Sequence, residues 1–164
     1  MNKTINVKAG FTPAFTMIEL IFVIVVIGIL SAIAIPKLAA SRDDAVLVKG
    51  KSQVAAIRSG IAMQKSKRLL EGKTPPIPRI LDDNGSTDEL FHHGGGDYGN
   101  ILEYGLPNST KDGNWKKIST ADPAPVIIKY KFHLEGTSVE FDYNSTSGIF
   151  DCDHSDQNCK DLTK

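Results

Sequence analysis

The chain has 164 residues, which is the length of one domain rather than of several. It carries 19 basic and 19 acidic residues, so its formal net charge is zero. Without an excess of positive charge it has no global field that would attract nucleic acid, and nucleic acid is not expected as a partner.

One long apolar run dominates the N-terminal part of the chain, at residues 15–35. Its 21 residues are mainly Ile, Val, Leu and Phe, and Glu19 is the only charged residue among them. At about 1.5 Å per residue, a helix of this length spans roughly 30 Å, the thickness of the hydrocarbon core of a bilayer. Strands rarely exceed about ten residues, so the length predicts a membrane-spanning helix.

Glu19 is the unusual residue of this run. A carboxylate at the centre of a bilayer costs about 2.5–3.5 kcal/mol, and less near the interface. A buried acid therefore requires a cationic partner. The nearest candidate is a free α-amino group at Phe15, if the chain is cut before that residue, and the amino terminus of a neighbouring subunit is another.

The sequence AFTMIEL at residues 14–20, with Gly28 and the sequence AIP at residues 34–36, resembles the N-terminal signature of type IV pilins and type II secretion pseudopilins. The resemblance implies that a prepilin peptidase cuts between Ala14 and Phe15 and that Phe15 is then N-methylated. Most of the family has glycine where this chain has Ala14, but alanine is the next smallest side chain. With the cut after Ala14, Glu19 is the fifth residue of the product. A cut after Gly10 is rejected, because it would put Phe15 at this fifth position instead of an acid.

The resemblance divides the chain into a cleaved leader (residues 1–14), a transmembrane and filament-core helix (15–36) and a periplasmic pilin-like domain (37–164). Lys3 and Lys8 precede the apolar run, so the positive-inside rule keeps the N-terminus in the cytoplasm. An ordinary secretory signal is cut after its apolar region. Here the implied cut falls before it, so the product stays in the bacterial inner membrane as a single-pass protein, and the assembled filament is periplasmic or extracellular.

The helix is expected to continue from the membrane into the periplasmic domain, as far as residue 71. Gly28 and Pro36 predict a kink or a melted segment, because proline removes one backbone hydrogen bond and glycine adds freedom. In the family, the matching segment can unwind on assembly.

Beyond Pro36, an apolar stripe with steps of three and four residues predicts a helix face that covers a sheet, with a lipid-surface helix as the alternative. Gly72 is the predicted stop. The stripe consists of Leu47, Gly50, Val54, Ile57 and Ile61.

The segment from residue 72 to residue 125 is predicted to be a long loop. Asp82, Asn84, Ser86 and Asp88 alternate as calcium ligands do, but a solvated turn is the preferred interpretation, because no EF-hand pattern is present. The pair His92-His93 is interpreted as a surface loop rather than a metal site. Trp115 is expected to anchor the loop on the sheet.

The C-terminal part has the period-two pattern of strands. Residues 126–133, 138–143 and 148–152 are β-rich runs with short connections, which predicts a three-stranded antiparallel sheet over residues 126–152. The fold class is therefore α+β: a long N-terminal helix packed on a small antiparallel sheet. Other pilin-like proteins share this plan.

Cys152 and Cys159 are the only cysteines, and an isolated pair in an oxidising compartment predicts a disulfide loop over residues 152–159. Many pilin-like proteins carry such a loop. Carboxylates and an amide lie near it. Because some pseudopilins bind calcium in a C-terminal loop, the resemblance makes calcium a candidate cofactor; the alternative is an acidic loop with no cofactor. These candidate ligands are Asp151, Asp153, Asp156 and Asn158.

Two sites match the acceptor pattern for N-glycosylation, at Asn108 and at Asn144, although such three-residue patterns also occur by chance. Asp142 precedes Asn144 by two residues, as bacterial N-glycosylation systems tend to require.

The preferred function is a structural subunit of a type IV pilus or a type II secretion pseudopilus, not an enzyme, because no nucleophile–base–acid set or phosphate loop is present. The resemblance implies as partners further copies of the chain and other pilins or pseudopilins, the prepilin peptidase, the inner-membrane assembly platform and membrane lipid. The alternative is a membrane-anchored minor pilin or a module for binding or adhesion.

Overall fold

A computed structural model of the chain describes residues 15–82, 88–92, 99–118 and 126–164. The leader and the positions of Asn84, Ser86 and His93 lie outside the described residues. Contacts divide the chain into two compact units, Met1–Ala40 and Ser41–Lys164. The elements in chain order are helix α1 (Met17–Leu70), strands β1 (Glu89–Leu90), β2 (Leu106–Pro107), β3 (Trp115–Lys117), β4 (Ile127–Leu134), β5 (Thr137–Asn144) and β6 (Ile149–Cys152), and helix α2 (Gln157–Thr163).

The α+β class predicted from the sequence is confirmed. The chain has a long N-terminal helix that begins with an apolar segment, a small antiparallel sheet and a C-terminal disulfide between Cys152 and Cys159. This is a pilin-like fold. Helix α1 ends at Leu70, one residue before the predicted end, and Gly72 follows it with a φ of 67°, as expected for the stop residue.

Helix α1 is helical at every position from Gly28 to Pro36. Of the two predicted alternatives, the melted segment is therefore wrong for the single chain, whereas a kink between Gly28 and Pro36 stays a prediction. Proline removes one intrahelical hydrogen bond and crowds the carbonyl four residues before it, but the Leu and Ala residues near it have high helix propensity, and the helix continues through it. Unwinding of this segment on assembly stays a prediction.

In the unit Ser41–Lys164, the apolar stripe of α1 is buried as predicted. Gly50, Val54, Ile57 and Ile61 are buried, and Leu47 packs against the same core. A Cβ added at Gly50 would lie 2.5 Å from a ring atom of Phe132 on β4, which shows how closely the helix approaches the sheet. The stripe therefore covers the sheet, and the lipid-surface alternative is wrong.

The main sheet has four strands in the order β3-β4-β5-β6, and all neighbours are antiparallel. The predicted β4, β5 and β6 are confirmed to within two residues at each end, but the prediction of three strands is wrong. The fourth strand, β3, lies in the segment predicted to be loop, as do β1 and β2, which pair with each other. At two or three residues, these strands are too short to show a period-two pattern.

The core between helix and sheet is aromatic. Trp115, expected to anchor the loop on the sheet, is itself part of the sheet: it belongs to β3, is fully buried, and its indole nitrogen donates to Gln53 on α1 at 3.0 Å. Phe91, which follows β1, brings its ring centroid within 4.8 Å of that of Tyr130 and within 5.7 Å of that of Trp115. Among the residues that the structure describes, the fully buried aromatic ones are Phe91, Trp115, Tyr130, Phe132, Phe141 and Tyr143.

We expect Gly60→Ala to destabilise the unit Ser41–Lys164 by about 3 kcal/mol, the upper end of the usual cost of overpacking. A Cβ at Gly60 would lie 2.2 Å from the carbonyl oxygen of Ile101, and a backbone atom cannot move aside as a side chain can. Urea denaturation of the full-length protein in detergent measures the change. Ser59→Ala, at the neighbouring exposed helix position, is the control and should change stability little. Equal midpoints for both variants would contradict the prediction.

Candidate functional site

The apolar segment of α1 is the most unusual surface of the molecule. Met17–Ile35 has a mean hydropathy of 3.0 and none of it is buried, and among the described residues it is the one helix that is long and apolar enough to cross a membrane. Water-soluble proteins rarely expose an apolar surface of this size. The segment therefore needs either lipid or the helices of other subunits around it.

Glu19 lies in the first turn of α1. Its backbone N–H donates to the hydroxyl of Thr16 at 3.3 Å, and that of Leu20 donates to the carbonyl of Thr16 at 3.2 Å, so Thr16 caps the helix. The positive end of the helix dipole favours an acid here by about 0.3–1 kcal/mol. The Glu19 side chain is exposed, and within the described part of the chain its carboxylate forms no ion pair.

The predicted cleavage site is only partly described. Phe15 is exposed at the start of the described residues, directly before the helix, whereas Ala14 lies outside them. Cleavage between Ala14 and Phe15 and methylation of Phe15 stay predictions.

The predicted disulfide is present, with the Cys152 sulfur bonded to the Cys159 sulfur. Cys159 is buried in α2, a helix that the sequence analysis did not predict. Asp156 caps α2, because its carboxylate accepts the backbone N–H of Asn158 at 2.9 Å. The disulfide therefore fixes α2 to the end of β6.

Cys152→Ser is expected to lower the free energy of unfolding by about 2–3 kcal/mol, since a short disulfide loop restricts the unfolded chain. Thermal denaturation with and without reductant measures this effect. Reductant should lower the melting temperature of the wild type and leave that of the variant unchanged. A wild type that does not respond to reductant would contradict the prediction.

The three weak calcium candidates are engaged with protein groups. Asp151 accepts from the guanidinium of Arg58 at 2.8 Å and also contacts His154. Asp153 accepts the backbone N–H of Ser155 at 2.8 Å, which lowers the pKa of its carboxyl group, and Asp156 caps α2. Asp151 is thus part of an ion pair, Asp153 is a turn acceptor and Asp156 is a helix cap. Calcium binding there stays a hypothesis.

Asp82 has a structural role that the sequence analysis missed. The preferred interpretation as part of a solvated turn is wrong at this residue, whose side chain is 1% exposed. Its carboxylate accepts from the ammonium of Lys117 at 2.6 Å and from the hydroxyl of Tyr130 at 3.1 Å. Burial, with the nearby Asp82 charge, raises the pKa of Tyr130 well above its usual value.

Further contacts hold the segment that contains Asp82 against the body of the unit. The guanidinium of Arg68 donates to the carbonyl of Pro75, and the hydroxyl of Tyr143 donates to the carbonyl of Pro78. His92 belongs to the same region and places its Nδ1 3.4 Å from the carbonyl of Leu102, so it contacts the backbone. Polar contacts therefore fix the segment after α1 at Pro75, Pro78 and Asp82.

Comparison with known proteins finds no matching family model and no matching solved structure. A curated relative is fimbrial protein Q of Moraxella bovis, which is 35% identical over 91 residues. The matched region is 54% of this chain and 54% of that protein, so the chain spans about half the length of this relative. Taken with the exposed apolar helix, the similarity indicates a pilin-like protein with a structural role.

Proposed function

We propose that the chain is a structural subunit of a type IV pilus or a type II secretion pseudopilus, stored in the inner membrane before assembly. The observation that carries the proposal is the apolar segment Met17–Ile35, none of which is buried, with one acid, Glu19, in its first turn. The α+β fold and the similarity to a fimbrial protein support it.

The exposed apolar surface of this segment would mediate its assembly with other subunits. The prepilin peptidase cuts between Ala14 and Phe15, and the new amino terminus of Phe15 is methylated. The exposed segment then exchanges lipid for the same segments of neighbouring subunits, driven by the assembly platform. In the filament core, Glu19 of one subunit meets the amine of Phe15 on the next.

The pairing of Glu19 with this amine would set the register of the filament. Opposite charges attract strongly at the low dielectric of an apolar core. A subunit in the wrong register would bury its carboxylate alone, which costs several kcal/mol. The correct stagger is therefore the arrangement that satisfies every acid, and no cofactor is needed for it.

The experiment that tests the proposal is the identification of the N-terminal residue, and of its mass, on protein purified from the native membrane. N-methylphenylalanine at Phe15 is the expected result, and it would establish processing. An intact Met1 would contradict the proposal and would favour an anchored binding or adhesion module. The abundance of the chain in purified filaments then separates a major subunit from a minor one.

A further inference from the structure

The turn between β5 and β6 carries an acceptor pattern that filament assembly does not use. Asn144-Ser145-Thr146 has the spacing that N-linked glycosylation requires, and Asp142 supplies an acid two residues before the asparagine. A second site of the same kind, Asn108-Ser109-Thr110, has Leu106 where the first has its acid. Asn108 can therefore serve as an internal control for Asn144.

Asn144 is the last residue of β5, and its side-chain oxygen is held by the turn that follows it. That oxygen accepts the backbone N–H groups of Thr146 at 2.9 Å and Ser147 at 3.1 Å. Among the described residues, the side-chain nitrogen of Asn144 makes no hydrogen bond. The reactive nitrogen therefore has no partner there while the oxygen is fixed; Asn144 and Ser145 are half-buried, and Thr146 and Ser147 are exposed in the turn.

Asn144 lies on the outer face of the sheet, since side chains alternate along a strand and its neighbour Tyr143 points into the core. Ile127 on β4 and Ile149 on β6 are its direct cross-strand partners, one on each side. They are 44% and 59% exposed. Partners in these positions have Cβ atoms about 5 Å apart, so the asparagine is bracketed by two exposed apolar side chains.

These isoleucines form an apolar patch on a face that is otherwise charged. The next outward positions carry the ion pairs of Lys129 with Glu140 and Asp142. Together they line an open groove of about 550 Å³. A sugar attached to the nitrogen of Asn144 would lie over the patch and cover it with its C–H faces, while its hydroxyl groups would remain in water.

We propose that Asn144 is an N-glycosylation site, whereas Asn108 is not. A membrane transferase would use a polyprenyl-diphosphate-linked saccharide as the donor. The side-chain nitrogen of Asn144 forms a bond to the anomeric carbon, the bond from that carbon to the diphosphate oxygen breaks, and the diphosphate leaves with the electron pair. One amide proton passes to a base of the transferase. The proposal rests on the proposed function in that residues 41–164 must lie outside the cytoplasm.

The test is mass spectrometry of the full-length protein from its native membrane, with fragmentation of the peptides that contain Asn108, Asn144 and the two cysteines. The expected result is an added mass of one or more sugar residues on Asn144 and none on Asn108. An unmodified Asn144 with an oxidised disulfide would overturn this proposal alone. An unmodified Asn144 with reduced cysteines and an intact Met1 would overturn both proposals.

Variants at Thr146 separate recognition from folding. Thr146→Ala removes the hydroxyl group but keeps the backbone N–H that fixes the Asn144 oxygen, so the turn should survive and the added mass should be lost. Thr146→Ser keeps the hydroxyl group and should keep the added mass. Asp142→Asn should reduce occupancy at Asn144. Retention of the added mass in Thr146→Ala would overturn the assignment.

Discussion

Glu19→Ala is expected to leave the chain in the membrane and to reduce the amount of assembled filament at least tenfold. The change makes the segment Met17–Ile35 more apolar, so insertion should not suffer. In the proposed filament, it leaves the amine of Phe15 on the neighbour without its carboxylate. Removal of one partner of a buried pair costs about 3–5 kcal/mol, or a factor of more than 100 in an association constant.

The measurement compares sheared filaments with the membrane fraction of the same cells. Glu19→Gln keeps the size of the side chain without its charge and should fail in the same way. Val23→Ala, one turn further along the same exposed face, keeps the acid and should assemble nearly as the wild type does. Normal filaments from Glu19→Ala would refute the pairing role, although they would leave the fold unaffected.

Where the pattern was local, the sequence predicted the structure well. The stripe from Leu47 to Ile61 has a helical period over four turns, so the buried face of α1 could be predicted. Strands β4 and β5 have eight residues each, long enough for alternation to appear, and one glycine, Gly136, lies in the turn that joins them. The cysteine pair was equally clear, because no other cysteine competes with it.

What could not be predicted depends on residues far apart in the chain. Asp82 lies in an acidic, turn-rich stretch, and its partners Lys117 and Tyr130 are 35 and 48 residues away. No local pattern distinguishes a buried aspartate from the solvated ones around it. Strand β3 was missed for a related reason, since its three residues, WKK, show no alternation of apolar and polar side chains.

The same distinction between local signals and distant contacts applies to the candidate site. Glu19 could be identified because one charge in 21 apolar residues is a strong local signal. The partner of Glu19 could only be proposed, since it is expected on another molecule. The calcium candidates were chosen by composition, and composition does not reveal that Arg58, 93 residues away, donates to Asp151.

Asp82→Ala is expected to lower the free energy of unfolding by about 3–5 kcal/mol, the cost of removing one partner of a buried ion pair. The ammonium of Lys117, whose side chain is 12% exposed, loses this carboxylate, and the hydroxyl of Tyr130 loses its acceptor in the core. Because the segment after α1 is fixed to the sheet through this contact, we expect it to become susceptible to protease. Urea denaturation and limited proteolysis of the full-length protein in detergent measure the two effects.

A double variant and a surface control show whether burial of the charge causes the loss. Asp82→Ala combined with Lys117→Met removes both charges, so it should recover part of the stability lost in the single variant. Glu140→Ala breaks the exposed ion pair with Lys129 on the outer face of the same sheet and should cost no more than about 1 kcal/mol. If Asp82→Ala lowered the free energy of unfolding as little as Glu140→Ala does, the contact of Asp82 with Lys117 and Tyr130 would not fix this segment. If instead the double variant were less stable than the single one, the charge of Lys117 would be stabilised by groups other than Asp82.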